Sequence, residues 1–86
     1  MNDNNKSVLI LNLDKLHTTD LGIERIKRNL CLDVDDVVNW CRKKIKEPNS
    51  SIARKGKNWY VNVADYEITV NAYSYTIITA HKLKSK

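Results

Sequence analysis

The spacing of apolar residues changes at Ser51, and this change constrains the fold more than any other feature of the sequence. Before Ser51 the apolar residues recur about every 3.6 positions, whereas after it they alternate with polar residues. Helices that precede the strands, rather than alternate with them, predict an α+β fold. The 86 residues, of which 42% are apolar, suffice for one domain with a small core. We therefore expect a single domain over residues 1–86, with frayed ends at 1–5 and 83–86.

The N-terminal half predicts about three helices. The segment Lys6–Leu16 is apolar on nearly all sides, so it is expected to be well buried if helical. A second helix is predicted over Asp20–Leu30, where capping residues precede a stripe of apolar side chains. A third helix is predicted to be capped by Asp33, with Asp35 and Asp36 in its first turn and basic residues in its last turns.

The C-terminal half predicts a three- to four-stranded antiparallel meander, and one face of this sheet must pack on the helices because a few strands are not stable alone. A short strand is expected at Ile52–Arg54, followed by three strands with alternating polarity. In the last strand Ile77 and Ile78 compete for the buried face, so its assignment can be reversed. The predicted buried face consists of Trp59, Val61, Val63, Ile68, Val70, Ala72, Ile78 and Ala80.

The opposite face of the sheet carries phenols, amides, hydroxyls and one imidazole, where a solvated sheet usually carries lysine and glutamate. Its predicted members are Tyr60, Asn62, Thr69, Asn71, Tyr75, Ile77, Thr79 and His81. The net charge is +5, and most of the excess lies in residues 54–86, with six bases and two acids. Basic residues interleaved with aromatic side chains favour nucleic-acid binding. A net charge of this size is also common on proteins that bind no nucleic acid.

The sequence offers little for other classes of site. Cys31 and Cys41 are too few for a zinc site, and the acids cluster with neither histidine, so we expect no metal and no cofactor. Both cysteines are interpreted as small core or boundary residues, with a disulfide or reactive thiol as the alternative. No signal peptide opens the chain, and no apolar run approaches the ~18–20 residues that span a membrane. We therefore expect a cytoplasmic protein with no membrane partner.

Three stretches resemble a known family. Leu16–Leu30, Arg54–Val61 and Ile68–Lys82 together resemble the small bacterial family of domain of unknown function 3781, over roughly residues 8–82. That family brings no known activity. The order of elements also resembles the barnase–colicin–RelE group, which contains metal-independent ribonucleases and ribosome-dependent toxins. This second resemblance implies a site on the open sheet face, and the groups available for it are Arg54, Tyr60, Thr69, Tyr75, Thr79 and His81.

We accordingly expect a protein directed at RNA or another nucleic acid, with metal-independent RNA cleavage as its catalytic form. Cleavage needs a base for the 2′-hydroxyl proton, an acid for the leaving oxygen and cations for the phosphorane. The candidate catalytic residues are His81, Tyr75, Thr79 and Arg54. The candidate binding residues are Lys55, Lys57, Tyr60, Asn62, Thr69, Asn71, Tyr73 and Lys82.

Two alternatives to an RNA-directed enzyme stay open. The first is a non-catalytic binding or inhibitory protein, which uses the same Tyr-rich face to block a nucleic-acid enzyme or a defence complex. The second is a homodimer joined by that face or by sheet edges. His17, which precedes two threonines at a helix junction, is interpreted as a cap or a hydrogen-bond partner between helices.

Overall fold

The computed structural model describes residues 8–31 and 34–83, and within these ranges helices precede a single antiparallel sheet. Helix α1 is described over residues 8–11 and is followed by a 3-10 turn at Leu13–Lys15. The other helices and the strands are α2 (Asp20–Leu30), α3 (Val37–Lys46), β1 (Ser51–Lys55), β2 (Asn58–Val63), β3 (Tyr66–Asn71) and β4 (Ile77–Lys82). The strands pair in chain order, each antiparallel to the next, which confirms the predicted α+β meander.

Two side-chain caps determine where the longer helices begin. The Thr19 hydroxyl accepts a hydrogen bond from the Gly22 N–H at 3.0 Å, so α2 begins as predicted. The Asp36 carboxylate accepts from the Asn39 N–H at 3.0 Å and thereby caps α3. The prediction that Asp35 and Asp36 form the first turn of α3 is therefore wrong, since both precede the helix.

Parts of three sequence predictions lie outside the described residues. These parts are the predicted Asp33 cap, the start of the first helix at Lys6, and the frayed ends at 1–5 and 84–86. Leu83, which was predicted to belong to the frayed C-terminus, donates its backbone N–H to the Asp65 carbonyl at 2.6 Å.

A bulge in β4 decides which isoleucine is buried. The ladder between β3 and β4 passes from the Thr69–Thr79 pair to the Val70–Ile77 pair and thereby skips Ile78. Ile77 is consequently 1% exposed and Ile78 is 39% exposed. The assignment of Ile78 to the core and Ile77 to the opposite face is wrong, because an extra residue in the strand interrupts the two-residue period on which that assignment depends.

The core lies between the helices and one face of the sheet. Burial raises the pKa of the Cys41 thiol in α3 to about 12, because the thiolate would lose its hydration there. Cys31, at the end of α2, is exposed, and both cysteines are free thiols. The buried apolar residues are Leu9, Leu13, Leu16, Ile26, Leu30, Val37, Cys41, Ile45, Trp59, Val61, Val63, Ile68, Val70, Ile77 and Ala80.

The segment that connects the 3-10 turn to α2 lies along the outer edge of β4. The His17 N–H donates to the Tyr75 carbonyl at 3.2 Å, and the Ile77 N–H donates to the His17 carbonyl at 2.8 Å. These bonds pair His17 with Thr76 in a short parallel bridge. The Thr18 hydroxyl adds a bond of 3.0 Å to the Ile77 carbonyl. Residues almost sixty positions apart in sequence therefore meet at the start of β4.

Candidate nucleic-acid interface

The sheet face opposite the core carries most of the polar residues that were predicted there. The register places Asn62, Glu67 and His81 in one row across the strands. Tyr60, Thr69 and Thr79 form the neighbouring row, and Asn58 lies beside Asn71. We call this surface, with Ser51, Ala53 and Lys55 of β1, the open face, although Thr69 within it is buried. Its residues are Ser51, Ala53, Lys55, Asn58, Tyr60, Asn62, Glu67, Thr69, Asn71, Thr79 and His81.

His81 has one charged neighbour on the open face. Its Nε2 lies 3.6 Å from Glu67 Oε1, and both side chains are partly exposed. In the described part of the chain, neither Glu67 nor His81 forms an ion pair with a lysine or an arginine. Lys82 pairs with Tyr66 in register, on the opposite side of the sheet from His81. The open face therefore holds a carboxylate beside an imidazole. RNA cleavage also requires cations near these groups, and no lysine or arginine of the described residues forms an ion pair with Glu67 or His81.

Two of the predicted catalytic residues lie away from the open face, at the helix-facing side of one sheet end. The Tyr75 and Trp59 ring centroids are 5.4 Å apart. The Arg54 guanidinium lies 5.7 Å from the Trp59 centroid and 5.6 Å from the Tyr73 centroid. Lys15 Nζ lies 5.6 Å from the Tyr75 centroid. We call this continuous group the aromatic–cation cluster; its contacts run from Lys15 through Tyr75, Trp59 and Arg54 to Tyr73, two cations and three aromatic rings.

Two turns hold this cluster together. The Arg54 Nε–H donates to the Gly56 carbonyl at 2.9 Å, and Gly56 adopts a left-handed φ of 60° that turns the chain from β1 to β2. The Ala72 N–H donates to the Lys57 carbonyl at 2.7 Å, so this turn is bonded to the loop between β3 and β4. The Tyr73 side chain in that loop is 73% exposed. Basic residues of one turn and an exposed tyrosine of the other therefore lie at the same end of the sheet.

One hydrogen-bond donor in the cluster lacks an acceptor among the described residues. Trp59 is 1% exposed, and within the described ranges its Nε1–H has no hydrogen-bond partner. A buried N–H without a partner typically costs about 1–3 kcal/mol. The packing of the Trp59 ring against Arg54 and Tyr75 therefore has to offset the cost of burying this N–H without a partner. The prediction that Trp59 belongs to the core is confirmed.

A hydrogen-bond chain occupies the other side of the same loop. Ser74 Oγ lies 3.2 Å from Asn71 Oδ1 and 2.7 Å from Thr76 Oγ1. Thr76 Oγ1 lies 3.1 Å from His17 Nε2, and His17 Nδ1 lies 2.9 Å from the Lys15 carbonyl. We call Asn71, Ser74, Thr76 and His17 the hydroxyl–histidine chain. The prediction that His17 is a hydrogen-bond partner holds, but its partner is in the loop before β4 and not in a helix.

The loop at residues 73–76 thus has two different sides. Tyr73 and Tyr75 contact cations, whereas Ser74 and Thr76 bond to each other and lead to His17. Tyr75 has a φ of 60°, a left-handed conformation that is uncommon outside glycine. Sequence reasoning missed this two-sided arrangement, and the alternation of Tyr, Ser, Tyr and Thr was its one visible signal.

Across residues 8–31 and 34–83, no three His, Cys, Asp or Glu side chains are grouped so that they could hold a metal ion. No helix in these ranges combines the length and the apolar character required to cross a bilayer.

Comparison with known proteins supplies a family but no activity. No curated protein and no solved structure matches this chain. The sequence model of the family described as Protein of unknown function (DUF3781) matches residues 10–81. The matched range contains every residue of the aromatic–cation cluster and of the hydroxyl–histidine chain. The layout resemblance to the barnase–colicin–RelE group stays a prediction. The chain therefore belongs to the DUF3781 family of proteins of unknown function.

Proposed function

We propose that this protein binds single-stranded nucleic acid at the end of the sheet formed by the turns at residues 55–57 and 72–76. The observation that carries the proposal is the exposed Tyr73 ring, with the Arg54 guanidinium 5.6 Å from its centroid. Base stacking on an exposed aromatic ring is worth about 1–3 kcal/mol per base and tolerates any sequence. A base can stack only where it is not paired and stacked within a duplex, so the ligand is single-stranded.

The charges around Tyr73 suit the phosphates next to a stacked base. Lys55 and Lys57 are exposed in the adjacent turn. Arg54 donates its Nε–H to the Gly56 carbonyl, and its two terminal guanidinium nitrogens form no hydrogen bond with any described residue. Arginine can present such nitrogens to a phosphate as a two-pronged donor. One nucleotide can therefore contact an aromatic ring, a guanidinium group and two ammonium groups at the two neighbouring turns.

Fluorescence anisotropy with a labelled 12-nucleotide uridine RNA tests this proposal. We expect Tyr73→Ala to weaken binding about tenfold or more, because one stacking platform is lost. The matched control is Tyr60→Ala on the open face, which we expect to change the affinity less than about threefold. We expect Lys57→Ala to lower the slope of log affinity against log salt by about one, because one phosphate contact is lost.

Two results would contradict this proposal. One is the absence of salt-dependent binding by the parent protein, which would leave the Tyr-rich surfaces to a protein partner, as in the inhibitory alternative. The other is a loss of affinity in Tyr60→Ala but not in Tyr73→Ala, which would transfer the binding surface to the open face.

RNA cleavage is the second candidate function, and the Glu67–His81 pair is the observation that favours it. A carboxylate and an imidazole 3.6 Å apart can serve as the base and the acid of a metal-independent cleavage. The test incubates the protein with labelled transfer RNA in the presence of EDTA, alongside His81→Ala. Cleavage by the parent alone supports this function. Equal cleavage by the two proteins, or none by either, contradicts it.

A further inference from the structure

The hydroxyl–histidine chain has a direction, which is set by the backbone carbonyl at its inner end. A carbonyl only accepts hydrogen bonds, so a His17 imidazole that carries one ring proton carries it on Nδ1, 2.9 Å from the Lys15 carbonyl. His17 Nε2 is then an acceptor, and the Thr76 hydroxyl at 3.1 Å must donate to it. Thr76 Oγ1 in turn accepts from Ser74 Oγ at 2.7 Å, which uses the single hydroxyl proton of Ser74.

The outer end of the chain is consequently an acceptor. Ser74 is exposed, and its oxygen retains lone pairs once its proton is directed towards Thr76. Asn71 Oδ1 does not compete strongly for that proton, because it already accepts the N–H groups of Tyr73 and Ser74 at 2.9 Å each. Among the residues that the structure describes, one further donor approaches Ser74 Oγ, the Thr76 N–H at a long 3.4 Å. The group that complements Ser74 is therefore a hydrogen-bond donor, such as a hydroxyl, and not a phosphate oxygen.

From this polarity we infer that Ser74 accepts a hydrogen bond from the ribose 2′-hydroxyl of the nucleotide whose base stacks on Tyr73. This inference rests on the proposed binding function. Ser74 follows Tyr73 directly, so their Cα atoms lie about 3.8 Å apart, and both residues are exposed in a single loop. DNA lacks the 2′-hydroxyl, which is the group by which a protein distinguishes RNA from DNA at a given site. The site accordingly prefers RNA.

Three oligonucleotides with the same base test this inference by anisotropy: 12-nucleotide uridine RNA, its deoxyuridine equivalent and its 2′-O-methyl equivalent. The methylated sugar keeps the 2′-oxygen but has no proton to donate. We expect the parent protein to bind the RNA about three- to tenfold more tightly than either analogue, the range for one hydrogen bond. We expect Ser74→Ala to reduce RNA affinity to that of the deoxy oligonucleotide, whose own affinity stays unchanged.

Two control variants separate recognition of the sugar from general damage to the loop. Ser51→Ala removes an exposed serine hydroxyl from β1, and we expect it to keep the full RNA preference. Thr76→Ser preserves the hydroxyl that links Ser74 to His17, and we expect it to keep the preference as well. Circular dichroism establishes that each variant is folded.

The outcomes distinguish the inference from the function on which it rests. Equal affinity of the parent protein for RNA and DNA overturns the inference and leaves single-strand binding intact. A preference that persists in Ser74→Ala, or that tolerates the 2′-O-methyl group, also overturns it. Binding to none of the three oligonucleotides overturns both the proposed function and the inference.

Discussion

A methyl group added at Gly22 tests whether the segment before α2 is fastened to β4. The Cβ of an alanine at this position would overlap Thr18 Oγ1 and would lie 3.3 Å from Thr19 Oγ1. Thr18 Oγ1 is the donor of the 3.0 Å bond to the Ile77 carbonyl. The Thr18 side chain must therefore rotate away in Gly22→Ala and abandon that bond. The contact between this segment and β4 also affects the candidate site, because the neighbouring residue His17 pairs with Thr76.

The change in unfolding free energy that Gly22→Ala causes is expected to have opposite signs in the parent protein and in a Thr18→Ala background. Replacing glycine by alanine inside a helix stabilises it by about 0.5–1 kcal/mol. Losing the Thr18–Ile77 bond costs about 0.5–1.5 kcal/mol, and a carbonyl left without a partner raises the cost to about 1–3 kcal/mol. Gly22→Ala alone should therefore lower the free energy of unfolding by about 1 kcal/mol. In a Thr18→Ala background the obstructing hydroxyl is gone, so Gly22→Ala should raise it by about 0.5 kcal/mol.

Urea unfolding followed by far-UV circular dichroism, on the parent, both single variants and the double variant, measures this coupling. A coupling of about 1.5 kcal/mol between Gly22 and Thr18 is expected, well above the ~0.5 kcal/mol within which independent sites add. If the two substitutions add within that limit, and Gly22→Ala stabilises both backgrounds, the Thr18 hydroxyl does not lie between α2 and β4 and our reasoning is refuted.

Other predictions concern the core, the thiols and the loop. Ile77→Ala should lower the free energy of unfolding in urea by about 2–5 kcal/mol and Ile78→Ala by less than about 1 kcal/mol. Cys31 should react with Ellman's reagent in the native protein, whereas Cys41 should react only on unfolding. Burial raises the pKa of Cys41 in the folded protein to about 12, against 9.0 for a free thiol. The stability linked to the neutral buried thiol is therefore complete below pH 9 and is lost as the pH rises towards 12. Cys41→Ala should reduce this loss of stability at alkaline pH. Asn71→Ala removes the acceptor of two backbone N–H groups, so it should lower the unfolding free energy by about 1–2 kcal/mol and weaken RNA binding in anisotropy.

The elements that sequence reasoning located correctly are those whose signals are local. Thr19 caps α2 where a capping residue precedes a helical stripe, because a cap bonds to an N–H only three residues away. The alternation around Trp59 and Val61 likewise identified the buried face of β2. The start of α3 was misplaced because several aspartates precede it, and only the backbone geometry shows that Asp36 is the one that caps.

The candidate site was less accessible to sequence reasoning, because its contacts join distant segments. Tyr75 was assigned to the open face by simple alternation, and Arg54 was expected next to that face. The left-handed Tyr75 instead lies beside Trp59, and the register of β1 and β2 pairs Arg54 with Trp59. The chain from His17 to Ser74 spans both halves of the molecule, so no local pattern could reveal it.

The sequence by itself determined the class of fold, the single antiparallel sheet and most of the core, because these follow from the period of apolar residues and from caps that act over three or four positions. Tertiary structure alone decided that Ile77 rather than Ile78 is buried, since a bulge depends on how two strands pair and not on either strand's own pattern. It also decided that His17 meets Thr76, because only the packing of the N-terminal segment along β4 brings these residues together. The proposed binding surface depends on such long-range contacts, and they form only once the sheet and the helices have packed.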